Sequence, residues 1–422
     1  MYKHDIGNWF GAGAAEKQDF SRLLDKSAAI LKRFAEGAEP KVTALFDVAA
    51  REDDLEAIRK EAQEIRQNFR NIVVLGTGGS SLSGQALAAI KGNNNAAEIN
   101  LCFADNIDPH SFSAMLAGID IERSFFLTIS KSGDTLETIA QFLICFDYVA
   151  KAVGREKAAR HFLIITMPKE SSMAALGEQY GIRQLAHETE IGGRFSIFTN
   201  VGLLPGAIIG LDIRGLRKGA VRIIRDISRN PAESEVAKGM AVNLAMMAQG
   251  FCNSVYMHYL DRLRGFVNWH RQIWAESLGK NGNGTTPIRA AGTLDQHSQL
   301  QLYLGGPKDK FFTFLFLGKP ENGNPAINPE LINRQELEYL KGKSLGEIML
   351  AEQRATLETL VRHGAPVRSF ALDNLQEETM GALFMHFMLE TIGVGIALGI
   401  NPFDQPAVEE SKVIARKLLG EK

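Results

Sequence analysis

The chain has 422 residues, 45% of them apolar and 23% charged, and carries a net charge of −2. That balance belongs to a globular protein long enough for two domains, and it excludes a surface built for nucleic acid or a polybasic membrane face. Cys102, Cys145 and Cys252 lie far apart with no CxxC spacing, which argues against a disulfide framework or a zinc site and for a reducing compartment.

The opening MYKHDIGNWF has no long apolar run, so no signal peptide is expected. Residues 1–70 read mainly as a helical segment. Lys17–Phe34 and Glu52–Phe69 place apolar residues three and four apart among charges. The pattern then changes. Asn71-IVVL, Glu98-INLCFA, Ser124-FFLTIS and His161-FLIIT are short apolar runs separated by amphipathic stretches, as in buried parallel strands alternating with helices. Residues 71–215 therefore read as a first α/β domain. A join is expected near Leu211–Ser228.

A second cycle follows. Asn230-PAESEVAKGMAVNLAMMAQG, Arg262–Gly279, Ser344–His363 and Leu375–Leu398 read as helices. Ser254-VYMHYL, Phe311-FTFLFLG and Val367-RSFALD read as strands, and Gly318–Pro329 as a loop. Ala382–Ile400 is apolar but interrupted by His386 and Glu390, which suits a buried helix better than a membrane span. Residues 230–400 form the second α/β domain in this reading, and residues 401–422 hold a C-terminal helix. The expected fold class is two α/β/α sandwiches in series, each a doubly wound, mainly parallel sheet, in a soluble cytoplasmic protein.

Two turns between strand and helix carry the first chemical signal. Gly76, Gly78 and Gly79 let a backbone approach an anion, the following helix start offers free N–H groups, and Ser80, Ser81 and Ser83 add hydroxyls. Ser130-Lys131-Ser132-Gly133-Asp134-Thr135 repeats that logic after another strand. At the carboxyl ends of parallel strands both would face one crevice. Three readings compete. A Walker loop would need Gly-Lys-Ser/Thr where Gly84-Gln85-Ala86 stands. A dinucleotide site would need a third glycine where Ser81 stands, although Asp105 has the spacing to meet a ribose. A plain capped turn is the structural alternative. Together the two turns favour a monophosphate held by Gly79, Ser80, Ser130, Ser132 and Thr135.

The second signal is a set of reacting groups. Gln272 and Glu276 are four residues apart and share a helix face. Aldose–ketose exchange needs a base between C1 and C2, and a carboxylate serves where partial burial lifts its pKa toward neutrality. The competing reading is a surface carboxylate paired with Lys280. Arg194 follows Gly192-Gly193 and can stabilise a developing enediolate oxygen, or it is a structural ion pair. His297 suits proton transfer at a ring oxygen near neutral pH, against the plainer reading of a surface histidine. Lys412, with Glu409 and Arg416 nearby, is either an acid at the site or part of an exposed charged face.

The set as a whole resembles the glucose-6-phosphate isomerase (phosphoglucose isomerase) family. The two serine-rich turns are similar to its sugar-isomerase (SIS) signature. Glu190-IGGRFSIFTNVG and the segment ending FDQPAVEESK are similar to its two family signatures. Arg271-QIWAESLGKNGNG and Gly292-TLDQHSQ match its base and histidine segments. The resemblance runs from about Leu75 to Lys412. It implies phosphate contacts at Ser80, Ser130, Lys131, Ser132 and Thr135, a substrate contact at Gln272 and an isomerising base at Glu276. Arg194 would stabilise the intermediate, and His297 and Lys412 would open the sugar ring. It also implies a homodimer in which His297 enters from the neighbouring subunit, a small sugar phosphate as substrate, and no metal or organic cofactor. The expected activity is reversible isomerisation of glucose 6-phosphate and fructose 6-phosphate through an enediolate, in glycolysis and gluconeogenesis. The alternatives are a non-catalytic sugar-phosphate sensor on the same fold and an isomerase for another hexose phosphate. Pro406 stands where many family members carry a bulkier residue.

Overall fold

A computed structural model describes residues 1–8, 14–92 and 99–420. Among the described residues, ten strands form two sheets of five. The first sheet holds β2 (Asn71–Leu75), β3 (Asn100–Ala104), β4 (Ser124–Ile129), β5 (Phe162–Thr166) and β6 (Arg183–Ala186) in the order β3-β2-β4-β5-β6, all parallel. The second holds β1 (Tyr2–Asn8), β7 (Asn253–His258), β8 (Thr286–Ala291), β9 (Lys310–Leu317) and β10 (Val367–Leu372) in the order β1-β10-β9-β7-β8. Of these ten, only β1 runs antiparallel, on the β10 edge. The two doubly wound sheets agree with the fold class expected from sequence.

The apolar runs explain the central strands. Every residue of β4 and β5 is buried, because helices cover both faces of a parallel sheet. Helix Glu377–Ala397 is apolar all round and buried from Thr379 to Gly395. Among the described residues it is the one helix long and apolar enough to cross a membrane, and here it packs inside the protein. Helix Ile213–Arg229 buries Ile213, Leu216, Ala220, Ile223 and Ile227, spaced three and four apart, and it runs through the stretch where a join was expected.

Three features differ from the sequence reading. The N-terminal segment opens with a strand that lies on the second sheet, its backbone paired from Tyr2 to Asn8 with Leu372 to Val367. Strands β6 and β8 were not expected, since neither carries a continuous apolar run. Glu98, the expected start of β3, lies outside the described residues; the strand itself begins at Asn100.

The first sheet changes winding direction between β2 and β4, which lie side by side while β3 and β5 flank them. Open α/β sheets bind ligands outside the carboxyl ends of strands at such a switch point. The two serine-rich turns leave those two strand ends.

Candidate active site

The first turn leads from β2 into helix Gly79–Lys91. Gly78 stands at its N-cap with no side-chain cap, and the N–H groups of Ser80 and Ser81 donate to the carbonyls of Thr77 (3.2 Å) and Gly78 (3.0 Å). Ser80 is half-buried, and its hydroxyl bonds to no described residue. In the second turn Ser130 is buried. Its hydroxyl lies 3.0 Å from that of Thr135, and the Ser132 hydroxyl lies 3.5 Å from the same Thr135 oxygen. Thr135 is the N-cap of helix Leu136–Val153 yet makes no capping bond. In this turn the Ser130 and Ser132 hydroxyls also accept from the backbone N–H groups of Gly133 (3.1 Å) and Asp134 (3.2 Å), so a local cap and a cluster of hydroxyls occur together. Asp105 accepts from Gln85 Nε2 at 2.7 Å.

Lys131 behaves differently. Its ammonium donates to the carbonyls of Thr189 (2.9 Å) and Ile191 (2.7 Å). Burial and the nearby Lys41 pull its pKa down, against Glu190. The side chain pins the stretch of chain that leads into Gly192-Gly193-Arg194, rather than reaching over the cradle.

Arg194 sits on a 3₁₀ turn, Gly193–Phe198, and is 4% exposed. Its Nε donates to Ser277 Oγ (3.0 Å). Its Nη1 donates to Glu276 Oε2 (3.2 Å) and Gln405 Oε1 (2.7 Å), and its Nη2 to the carbonyls of Pro402 (2.7 Å) and Asp404 (3.1 Å). These bonds occupy the guanidinium's fork of donors. Burial lowers the Arg194 pKa and the Glu276 carboxylate works against that; arginine stays charged.

Glu276 lies on helix Arg264–Leu278 with its side chain 31% exposed. Its Oε2 faces Arg194, and its Oε1 accepts from Gln272 Nε2 at 2.8 Å. The i, i+4 spacing read from sequence thus becomes a direct bond. Lys280 does not pair with Glu276. It donates to Asp404 Oδ1 (2.8 Å) and the Asp404 carbonyl (2.7 Å) and holds the Asp404 carboxyl below its ordinary pKa. Ser277, Lys280 and Arg194 so clamp the loop 401–405 against the helix.

The two clusters touch. A Cβ on Gly79 would stand 2.3 Å from the carbonyl carbon of Gly193 and 2.5 Å from the Arg194 nitrogen. Only glycine lets the cradle helix meet the turn of Arg194 that closely. Gln272 Nε2 lies 2.8 Å from where a Cβ of Gly78 would be.

The structure thus brings together Gly79, Arg194, Gln272 and Glu276, and beside them Ser130, Ser132 and Thr135. It does not join His297 or Lys412 to them. His297 is exposed after β8, and its ring takes no hydrogen bond among the described residues. Lys412 lies exposed on helix Glu409–Leu418 and pairs with Glu409 at 2.7 Å. One turn on, Arg416 Nη2 donates to the Asp134 carbonyl (3.1 Å), so this helix lies beside the second serine turn. Sequence reasoning missed Gln405, Ser277 and Lys280 as parts of the site. Gln405 and Lys280 were inside recognised motifs, but their partners are far away in the chain.

A hydroxyl cradle at a switch point, facing a carboxylate steadied by arginine, is the equipment of a phosphosugar isomerase, and the fold is of the sugar-isomerase (SIS) kind. The family model for phosphoglucose isomerase matches residues 55–422. A glucose-6-phosphate isomerase of Carboxydothermus hydrogenoformans is 35% identical over 386 residues, 87% of this chain and 83% of that protein. A crystal structure of a Thermus thermophilus protein described as hypothetical covers 100% of both chains with a TM-score of 0.88 at 30% identity. A glucose-6-phosphate isomerase structure from Chlamydia trachomatis shares the fold, with a TM-score of 0.82 over 99% of this chain and 88% of that one at 19% identity. The chain belongs to the phosphoglucose isomerase family.

Proposed function

We propose that the chain interconverts glucose 6-phosphate and fructose 6-phosphate by moving one proton between C1 and C2. The observation that carries this reading is Glu276, a part-exposed carboxylate held between Gln272 and Arg194 beside the serine cradle. The phosphate is held by Gly79, Ser80, Ser130, Ser132 and Thr135, with Lys131 contributing its backbone N–H. Holding the phosphate supplies orientation at the reacting carbons. Glu276 removes the C2 proton of the open-chain aldose, the C1 carbonyl electrons move to oxygen, and a cis-enediolate forms. Transfer of the O2 proton to O1 and return of the proton from Glu276 to C1, with the C2 oxygen becoming the carbonyl, gives the ketose. Aldose and ketose are isomers, so atoms and electrons balance without an outside carrier, and the part-exposed Glu276 can exchange its proton with water before returning one. Arg194 is already desolvated and aimed beside Glu276, which suits it to the developing negative charge.

Ring opening falls to His297 and Lys412. We assign His297 to the site of a second copy in a homodimer, which accounts for its exposure and for its lack of any bond to the Arg194 cluster. Lys412 would leave Glu409 and turn toward the sugar. The functional unit is a cytoplasmic homodimer of two SIS-like domains (residues 71–215 and 230–400) with the 1–70 segment and the 401–422 helix packed on them.

A coupled assay tests the activity: fructose 6-phosphate is supplied with glucose-6-phosphate dehydrogenase and NADP, and NADPH absorbance is followed. The expected result is NADPH formation that requires this protein. Calorimetric binding of fructose 6-phosphate without any NADPH formation would point to the sensor instead.

A further inference from the structure

Helix Ile213–Arg229 has a second face that the activity does not use. Its core side is the apolar stripe from Ile213 to Ile227. Its outer side carries Arg214, Lys218, Arg222, Arg225 and Arg229, against one acid, Asp226. These residues and Arg51 line a cavity of about 630 Å³, which falls in the range of small-molecule sites. Glu52 and Glu378 also line it, but Glu52 is already taken by Arg214 at 2.7 Å. Arg51 is paired with Glu188. Lys218, Arg222, Arg225 and Arg229 form no ion pair with any described residue, and all four are exposed.

Like charges at i, i+4 on one helix repel. Lys218 and Arg222 stand so, as do Arg225 and Arg229. Asp226 and Glu378 are the acids left in the lining, two against these four basic side chains, in a protein whose overall charge is −2. The positions also have a length. From Lys218 to Arg229 the helix rises about 16 Å at roughly 1.5 Å per residue. One phosphate cannot engage that row, and a chain of phosphates can. Guanidinium groups present two parallel N–H donors to such oxygens.

The wall of this cavity is the back of the catalytic turn. Arg217 lines it, is 3% exposed, and donates to the Phe198 carbonyl through Nη2 at 2.9 Å and to Asp54 Oδ2 at 2.8 Å. Phe198 closes the same 3₁₀ turn that carries Arg194.

We propose that this cavity is a second anion site, separate from the serine cradle, and that it takes a small ligand bearing two or more linked phosphate groups. The probe is inorganic tripolyphosphate, titrated by calorimetry into the full chain in about 0.15 M salt, where exposed charges are screened beyond about 8 Å. Wild-type protein binds it, and orthophosphate binds at least tenfold more weakly. Arg222→Ala with Arg225→Ala weakens tripolyphosphate binding at least tenfold at an unchanged melting temperature. A second pair, Lys218→Ala with Arg229→Ala, does the same. Ser130→Ala leaves it unchanged, because the cradle is a different site. The proposal is overturned by no binding to wild type, by equal affinity for orthophosphate, by full affinity in both double variants, or by loss of binding in Ser130→Ala. Because none of these readouts is turnover, failure here leaves the isomerase reading untouched, and the reverse also holds.

Discussion

Two of the arginine–glutamate pairs in this molecule, one in the core and one at the site, do different work. In the core, Arg368 on β10 grips Glu390 with two bonds, 2.9 and 2.8 Å, and both side chains are 0% exposed. Thr313 takes the remaining Nε (2.9 Å), and Asn243 and His386 complete the carboxylate (2.8 and 3.2 Å). Tyr2 reaches His386 from the N-terminal strand at 2.8 Å, tying β1 to the same network. At the site, Arg194 gives Glu276 a single 3.2 Å bond and spends its other donors on the 401–405 loop and Ser277. The core carboxylate is saturated with donors; the site carboxylate keeps lone pairs and 31% of its surface open. Residue type is the same in both places. The number of donors and access to solvent decide whether the carboxylate is a fixture or a base.

Breaking each pair should therefore give opposite results. Glu276→Gln should cost at least about 10³-fold in kcat, within the usual reach of general acid–base catalysis, with the melting temperature nearly unchanged. Steady-state kinetics and a thermal melt on the same sample check it. Arg368→Met leaves Glu390 buried without its main partner and should cost about 3–5 kcal/mol of stability. Turnover per folded molecule should hold, as read from denaturant unfolding beside the assay. If Arg368→Met instead spared stability and stopped turnover, the division between core and site would be wrong.

The cradle sharpens the contrast further. Ser130→Ala removes one hydroxyl and should raise KM by about 10–100-fold, since a hydrogen bond to a charged group contributes roughly 1.5–3 kcal/mol. kcat should fall less than KM rises, because the base is untouched.

Acid tests the buried groups. Burial holds His187 and His258 at about 4 and His270 at about 3, below the roughly 6.5 of an unfolded chain. The unfolded state then binds protons first, so stability is full above about pH 6.5 and falls as pH drops toward 4. Each such proton changes stability by about 1.4 kcal/mol per pH unit. Glu390 acts at lower pH. Burial alone would raise its pKa, but Arg368 and His386 hold it below the ordinary carboxylate range. Its contribution is present above about pH 4.3 and is lost as pH falls through the depressed folded value. Denaturation midpoints at pH 7.5, 6 and 5 should decline in that order; a flat profile would mean these histidines are not buried neutral.

What the sequence made legible follows from where apolar residues are obligatory. β2, β4, β5, β7, β9 and β10 are central or well covered, so their runs of Val, Ile, Leu and Phe announce them. The strands that went unnoticed, β1, β6 and β8, lie at sheet edges. Tyr2–Asn8 is mostly polar, with Tyr2 and Ile6 its large apolar residues, Arg183–Ala186 is short and largely exposed, and Thr286–Ala291 is half-exposed. An edge strand has no need of a continuous apolar run. The same logic governs the site. Gln272 and Glu276 were readable together because a helix turn joins them. The bonds from Arg194 to Gln405 and from Lys280 to Asp404 cross 211 and 124 residues and leave no local pattern. Lys131 was expected over the phosphate, but its nearest acceptors are the carbonyls of Thr189 and Ile191, which only the fold brings to it.

The central claim is that Glu276 carries the proton between C1 and C2. Its most direct test is isomerisation of fructose 6-phosphate in D₂O, with deuterium at C2 of the glucose 6-phosphate product read by NMR. The account predicts deuterium at C2 with the wild-type protein, and none with Glu276→Gln at concentrations where calorimetry still records sugar-phosphate binding. Deuterium incorporation by Glu276→Gln at the wild-type rate would contradict it and move the base elsewhere.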